Sequence, residues 1–192
     1  MFIDIKDLNK AYEEKTVFNR FSCRIETGAV TCIMGSSGQG KTTLLRILLD
    51  LEKPDSGQIT GMLNKRKSVV FQEDRLCENL SAAANIRLAC GNSIKINNII
   101  ESMSAVSLAP DCAEQTVRVM SGGQRRRVAI LRALLAEYDI LFMDEPFKGL
   151  DAQTKEKVIL YTKDQSKGKT VIYVTHDKTE HEAMGGKIIY LT

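Results

Sequence analysis

No run in this sequence approaches the ~20 apolar residues that a membrane-spanning helix needs, and Asp4 and Asp7 interrupt the opening where a signal peptide requires an apolar stretch. The chain is therefore expected to be soluble and, if it works at a membrane, to do so as a peripheral subunit. Five cysteines (Cys23, Cys32, Cys77, Cys90 and Cys112) form an odd set without a CxxC pair, which argues against a disulfide framework and a zinc site and fits a reducing compartment. Lys and Arg number 27 against 24 Asp and Glu, and the resulting net charge of +3 is too small for a nucleic-acid footprint. Sustained heptads, internal repeats and a low-complexity tail are also missing, so neither a coiled-coil machine nor a repeat array is indicated.

What remains is 192 residues with 43% hydrophobic content, enough for one well-buried core and too short for two ordinary domains, so residues 1–192 are expected to form one domain. Residues 2–8 and 18–26 alternate as half-buried strands do, while the apolar run 30–34 suits a buried parallel strand. Helical spacing over 41–49 is stopped by Pro54-Asp55-Ser56-Gly57. A second buried strand, 68–71, ends at Gln72. The stretch of about 79–109 has helical character and is closed by Pro110, within a helical subdomain placed at about 75–125. A helix from Gln124 to about residue 136 carries Val128, Leu131, Leu135 and Tyr138 on one face. Strands at 140–143, 170–174 and 187–191 alternate with helices at 152–165 and 178–184, the pattern of an α/β core with a mostly parallel sheet. The last strand ends at the C-terminus, which leaves no room for an appended domain. Two basic clusters stand out: Lys65-Arg66-Lys67 suits a solvated turn, and Arg125-Arg126-Arg127 an exposed face at a helix start.

Gly35-Ser36-Ser37-Gly38-Gln39-Gly40-Lys41-Thr42, followed by Thr43, fits GxxxxGK(S/T) between an expected strand and an expected helix. Its glycines let backbone N–H groups converge on phosphate oxygens at the positive end of a helix. Lys41 can then pair with the outer phosphates while the Thr42 hydroxyl holds Mg2+. Asp144, at the end of an apolar strand, can reach the same metal through water, and Glu145 on the next residue suits a general base for an attacking water. Gln72, just past its strand, can offer its amide to metal or water, although alone it would pass as an ordinary loop residue. Ser121-Gly122-Gly123-Gln124 supplies small residues and free N–H groups at a helix start, a second anion-binding end.

In this order, with Met120 leading the Ser-Gly-Gly-Gln segment and Thr175-His176-Asp177 closing the series, the segments resemble the ATP-binding cassette (ABC) ATPases over nearly all of the chain. The resemblance implies a P-loop NTPase core with a helical subdomain and a short antiparallel β region. It implies ATP and Mg2+ as ligands, with Lys41, Gln72, Glu145 and His176 catalytic and Thr42, Gln72 and Asp144 at the metal. His176, 32 residues past Asp144, matches the histidine that contacts the γ phosphate. Tyr12 matches the aromatic that stacks on adenine, though an ordinary strand aromatic fits it equally. Ser121 to Gln124 would bind the ATP held by a partner subunit, so that one chain is half an enzyme, and Asp151 resembles a residue of the dimer-contact loop. Phe71 to Leu76 looks like the loop that touches the membrane subunit.

The resemblance is greatest to short bacterial importer subunits of the nitrate, sulfonate and taurine type. The implied partners are a second copy or a related cassette, membrane permease subunits and an extracytoplasmic solute-binding protein, with no nucleic acid. A soluble cassette ATPase serving assembly, for example of iron–sulfur clusters, is the alternative. Three departures stand out: Met120 replaces a leucine, Lys148-Gly149 replaces small residues, and only 31 residues separate Lys41 from Gln72, which predicts a trimmed antiparallel region.

Overall fold

The computed structural model describes residues 1–13, 15–91 and 94–191. Two sheets form. Strands β1 (Phe2–Tyr12), β2 (Lys15–Glu26) and β4 (Ser56–Thr60) make an antiparallel sheet in the order β2-β1-β4. Strands β3 (Val30–Met34), β5 (Lys67–Val70), β6 (Ile140–Asp144), β7 (Thr170–Val174) and β8 (Lys187–Tyr190) pair in parallel in the order β5-β6-β7-β3-β8. The helices are α1 (Lys41–Leu48), α2 (Ala82–Cys90), α3 (Ile96–Ala105), α4 (Gly122–Leu134), α5 (Ala152–Gln165) and α6 (Lys178–Met184).

The parallel sheet separates two apolar clusters. Ile33, Ile140, Phe142, Ile172 and Val174 face α1 and the antiparallel sheet, meeting Leu44, Leu45, Ile47 and Leu48 as well as Ile3, Ile5, Leu8 and Ile25. Cys32, Leu141, Met143, Val171 and Tyr173 face the other way and join Val128, Leu131, Val158 and Ile159. Because β6 and β7 are buried on both faces along their whole length, their sequences are continuous apolar runs rather than alternating ones. The helical insertion shares the second cluster through Ile86, Ile99, Met103 and Val106.

Several expectations need correction. Pro110 does not close the helical stretch: α3 ends at Ala105, Ser107 takes a left-handed backbone (φ 60), and Pro110 instead opens a further single turn through Ala113. The Ser-Gly-Gly-Gln helix starts at Gly122 rather than at Gln124, because Ser121 caps it and Gln124 returns the bond to the Ser121 N–H. Tyr138 lies beyond that helix's end and is buried on its own account. The antiparallel region is short only in β4, of 5 residues, whereas β1 and β2 run to 11 and 12. In the basic turn, Arg66 bonds Glu137 and Asp139, and Lys67 bonds the Leu48 carbonyl and Asp50.

Arg126 departs most from expectation. It is 5% exposed, the opposite of a solvated face. Its neighbours in the run are also engaged, Arg125 with Glu78 at 2.9 Å and Arg127 with the carbonyls of Gly123, Val106 and Ser107.

Phe142, fully buried at the centre of β6, tests how much the strand's packing carries. Phe142→Ala is expected to destabilise the fold by about 3–5 kcal/mol, read as a lower urea midpoint at unchanged slope. A midpoint close to wild type would mean that the cluster around it closes up freely.

Candidate nucleotide site

The C-terminal ends of the parallel strands meet at one edge of the sheet, the place where open α/β sheets bind ligands. β3 runs into residues 35–40, β5 into Phe71-Gln72, β6 ends on Asp144-Glu145, and β7 leads to Thr175-His176. A cleft of ≈ 590 Å³ opens there. It is lined by Tyr12, Lys15, Val17, Gly35, Ser36, Ser37, Gly38, Gly40, Lys41, Thr42, Thr43, Gln72, Asp144, Glu145, Lys148, Val174 and His176. That volume lies within the range of small-molecule sites.

Residues 35–40 wrap the start of α1. Gly40, the N-cap, has φ 83, and a Cβ there would be driven into Val17 and Phe18, so only glycine closes this turn against β2. With no side-chain cap on α1, the first N–H groups of the helix remain free to meet an anion. Lys41 Nζ donates to the carbonyls of Gly35 and Ser36, both at 2.7 Å, which folds the lysine over the loop. Gln39 turns away: its side-chain carbonyl accepts from the Ser36 N–H, and the residue lines a separate hollow with Phe18, Phe21 and Leu191.

Thr42 Oγ1 donates to Asp144 Oδ2 at 2.8 Å. Asp144 is 5% exposed, and burial pushes its carboxyl above the usual aspartate value, more than the Thr42 hydrogen bond lowers it. A hydroxyl and a carboxylate in contact, with the Gln72 amide on the same cleft, are hard oxygen donors of the kind Mg2+ takes. Among the described residues no group of three His, Cys, Asp or Glu side chains could hold a metal by itself.

Glu145 has a left-handed backbone (φ 48), uncommon for a residue with a side chain. Its N–H donates to the Val174 carbonyl at 3.0 Å, and its Oε1 lies 2.8 Å from His176 Nδ1. The turn carrying His176 is held from behind. Thr175 Oγ1 donates to the buried Glu180 at 2.6 Å, and Lys155 of α5 bridges Glu180 at 2.8 Å and Asp177 at 3.2 Å. The Thr179 hydroxyl, more than Lys155, keeps the Asp177 carboxyl down at about 2.

The structure thus gathers Tyr12, the Gly35–Lys41 loop except Gln39, Thr42, Thr43, Gln72, Asp144, Glu145 and His176 around one cleft. Tyr12 stands at its rim, 42% exposed, with its phenol on Glu52 and Lys10 Nζ 5.0 Å from the ring centroid. Ser121, Gly122, Gly123 and Gln124 do not line the cleft; they form the capped start of α4 elsewhere on the molecule. Asp151 caps α5 by accepting from the Thr154 N–H at 3.0 Å. Lys15 lines the cleft without having been singled out by any motif, since it is simply the first residue of a strand. A second cleft of ≈ 650 Å³ lies alongside, sharing Gln72 and Asp144 and walled by Leu45, Leu49, Val69, Phe71 and Arg75.

The family model described as ABC transporter matches residues 18–148. The "Fe(3+) ions import ATP-binding protein FbpC 1" of Haemophilus influenzae is 32% identical over 99% of this chain and 62% of its own length. The "Aliphatic sulfonates import ATP-binding protein SsuB 3" of Rhodococcus jostii is 32% identical over 98% of this chain and 70% of its own. The chain therefore spans only about three fifths of the iron-import relative. A solved dimer of the ATP-binding cassette MJ0796, in a post-hydrolysis state bound to ADP and Pi, superposes with a TM-score of 0.85 at 29% identity, covering 99% of this chain and 94% of that one. The model match over more than half of the chain, with a relative 32% identical over 98% of it, places this chain in the ABC transporter family.

Proposed function

We propose that this chain is the ATP-binding and ATP-hydrolysing subunit of an ABC transporter, whose paired copies close on ATP and drive solute across a membrane. One observation carries the reading: Lys41, Thr42, Gln72, Asp144, Glu145 and His176, drawn from four strand ends, line a single cleft while Ser121–Gln124 stay outside it. The residues divide the chemistry among themselves. Free N–H groups at the start of α1 and the Lys41 ammonium take the phosphate charge, the requirement of a reaction with little covalent work for the protein. Thr42, Asp144 and Gln72 would hold Mg2+, which neutralises charge building between the outer phosphates. His176 Nδ1, when it carries the proton, donates to Glu145 Oε1, leaving Oε2 to accept a proton from a water aimed at the terminal phosphorus.

The capped start of α4 presents the N–H groups of a second anion site, and its place outside the cleft supports a site completed by another copy. The solved cassette dimer with which this chain superposes supports the same arrangement. Beside the nucleotide cleft, the second cleft walled by Phe71, Arg75 and Leu49 is the surface we assign to a permease subunit. Among the described residues no helix is long and apolar enough to cross a membrane, and we assign the pathway itself to such partners. Import is the direction named for both relatives, and the resemblance to importer subunits of the nitrate, sulfonate and taurine type is supported by the sulfonate relative.

Glu145→Gln is expected to lower the ATPase rate by about 10²-fold or more while leaving nucleotide affinity intact, and to accumulate a dimer with Mg-ATP on size-exclusion chromatography. Wild-type turnover in that variant would remove Glu145 from the chemistry. Asp144→Asn tests the metal assignment. Burial raises the folded pKa of Asp144 above its unfolded value, so the native state gains stability as pH falls through that window, and at neutral pH the ionised carboxylate is a cost. The variant should therefore abolish Mg-dependent turnover yet unfold at a higher temperature than wild type at pH 7. A lower melting temperature would contradict this account.

A further inference from the structure

The Arg126 guanidinium lies behind the cleft and reaches both of the chain segments that supply the hydrolytic side chains. Three consecutive arginines on a helix cannot face the same way, and here the middle one turns inward. Arg126 Nε donates to the Pro146 carbonyl at 2.7 Å, and Nη2 to those of Asp144 at 3.1 Å and Glu145 at 2.6 Å. On its other side Nη1 reaches the carbonyls of Phe71 at 2.6 Å and Gln72 at 3.2 Å, and the Asp74 carboxylate at 3.1 Å. Six acceptors on two segments use the planar, five-donor fork as no other side chain can.

We propose that Arg126 is the positioning residue of the hydrolytic site: it ties the backbones of Glu145 and Gln72 to the helix that opens with Ser121–Gln124, and so fixes where those two side chains stand. The inference rests on the ATPase reading given above. Its strongest support is the backbone of Glu145. A non-glycine residue in the left-handed region costs on the order of 1–3 kcal/mol and persists only where its surroundings over-determine it. Here the N–H is held by Val174 and the carbonyl by Arg126, so both peptide planes flanking the Glu145 Cα are pinned. Remove the guanidinium and the carbonyls of Asp144 and Pro146 lose that donor, while the Glu145 carbonyl keeps only the longer bond from the Lys148 N–H at 3.3 Å, so the turn is free to rotate toward other partners. The Glu145 carboxylate rotates with it.

Arg132, farther along α4, donates to the carbonyls of Asp74 and Arg75, so loop 71–75 is fastened to that helix at two points.

Arg126→Lys keeps the charge but offers a single ammonium that cannot span both segments, and Arg126→Gln keeps a planar donor without the charge. For both, nucleotide affinity, KM, kcat and melting temperature are measured in the wild-type and Glu145→Gln backgrounds. A misplacement of about 1 Å costs on the order of 10²-fold, so Arg126→Lys is expected to lose kcat on that scale with KM and affinity within about threefold. In the Glu145→Gln background the same change should cost less than about fivefold, because groups acting as a unit are not additive. Unchanged kcat in Arg126→Lys overturns the proposal, as does a parallel loss of nucleotide affinity or the full loss repeated in the Glu145→Gln background. If neither variant folds, Arg126 is a structural tie only and the positioning role is rejected. Glu145→Gln hydrolysing at the wild-type rate would sink the general base instead, and the kcat–KM split of Arg126→Lys then decides Arg126 through Gln72.

Discussion

Strand β6 is buried on both faces over its whole length, and the acidic pair hangs from its end. This constraint orders the rest. A strand with no solvent face can be positioned only by packing, Ile140 and Phe142 against one apolar cluster and Leu141 and Met143 against the other. The register with β7 then sets Asp144 beside Val174, one residue short of the turn that carries His176. Because packed interiors hold atoms to fractions of an ångström, the 2.8 Å contacts from Asp144 to Thr42 and from Glu145 to His176 follow from where β6 lies.

The site spends stability to keep that geometry. Asp144 is buried with its carboxyl pushed toward the neutral form, and Glu145 is held in a backbone conformation that most side chains avoid. Neither is explained by folding alone. Both fit the proposed phosphate and cation site: a carboxylate whose desolvation a cation would offset, and a strained turn that brings a second carboxylate to the same cleft. The cost is met behind the site, by the guanidinium of Arg126 and by the Lys155–Glu180–Thr175 chain that fixes the histidine turn.

The parts legible in the sequence are those whose physics is local. Gly35 to Thr42 is a contiguous loop whose glycines are demanded by backbone geometry, and β3, α5, β7 and α6 fall on the expected residues because short apolar runs and amphipathic helices announce themselves. Arg126 was not legible, because a run of three arginines has the composition of a solvated surface. What holds the middle one is a set of carbonyls 18 to 20 residues later and 54 to 55 residues earlier, with the Asp74 carboxylate 52 residues earlier, which no local pattern encodes. Pro110 misled for a related reason. Proline is excluded from a helix interior but favoured at a first turn, and only the left-handed Ser107 before it shows that α3 had already ended. The expected helix from Gln124 begins two residues late, because the Ser121–Gln124 capping box makes Gly122 and Gly123 the first turn of α4.

Those two glycines also explain why half of the proposed machinery points away from the cleft. A first turn without Cβ atoms offers bare N–H groups to whatever approaches along the helix axis, and a side chain added at Gly122 would point into open space. Within one copy no anion reaches them, since the cleft that would hold the nucleotide is lined by other residues. A helix start outside the cleft and a phosphate loop inside it do not line one site within one chain. In the proposed dimer, two copies related by a two-fold axis would resolve this, because an isologous contact would place each helix start over the other copy's loop and make both sites at once. The Lys155 bridge ties α5, whose first turn Asp151 caps, to the turn that carries His176, just as Arg126 ties α4 to Glu145. In that arrangement the elements that would meet a partner are the ones already fastened to the hydrolytic side chains.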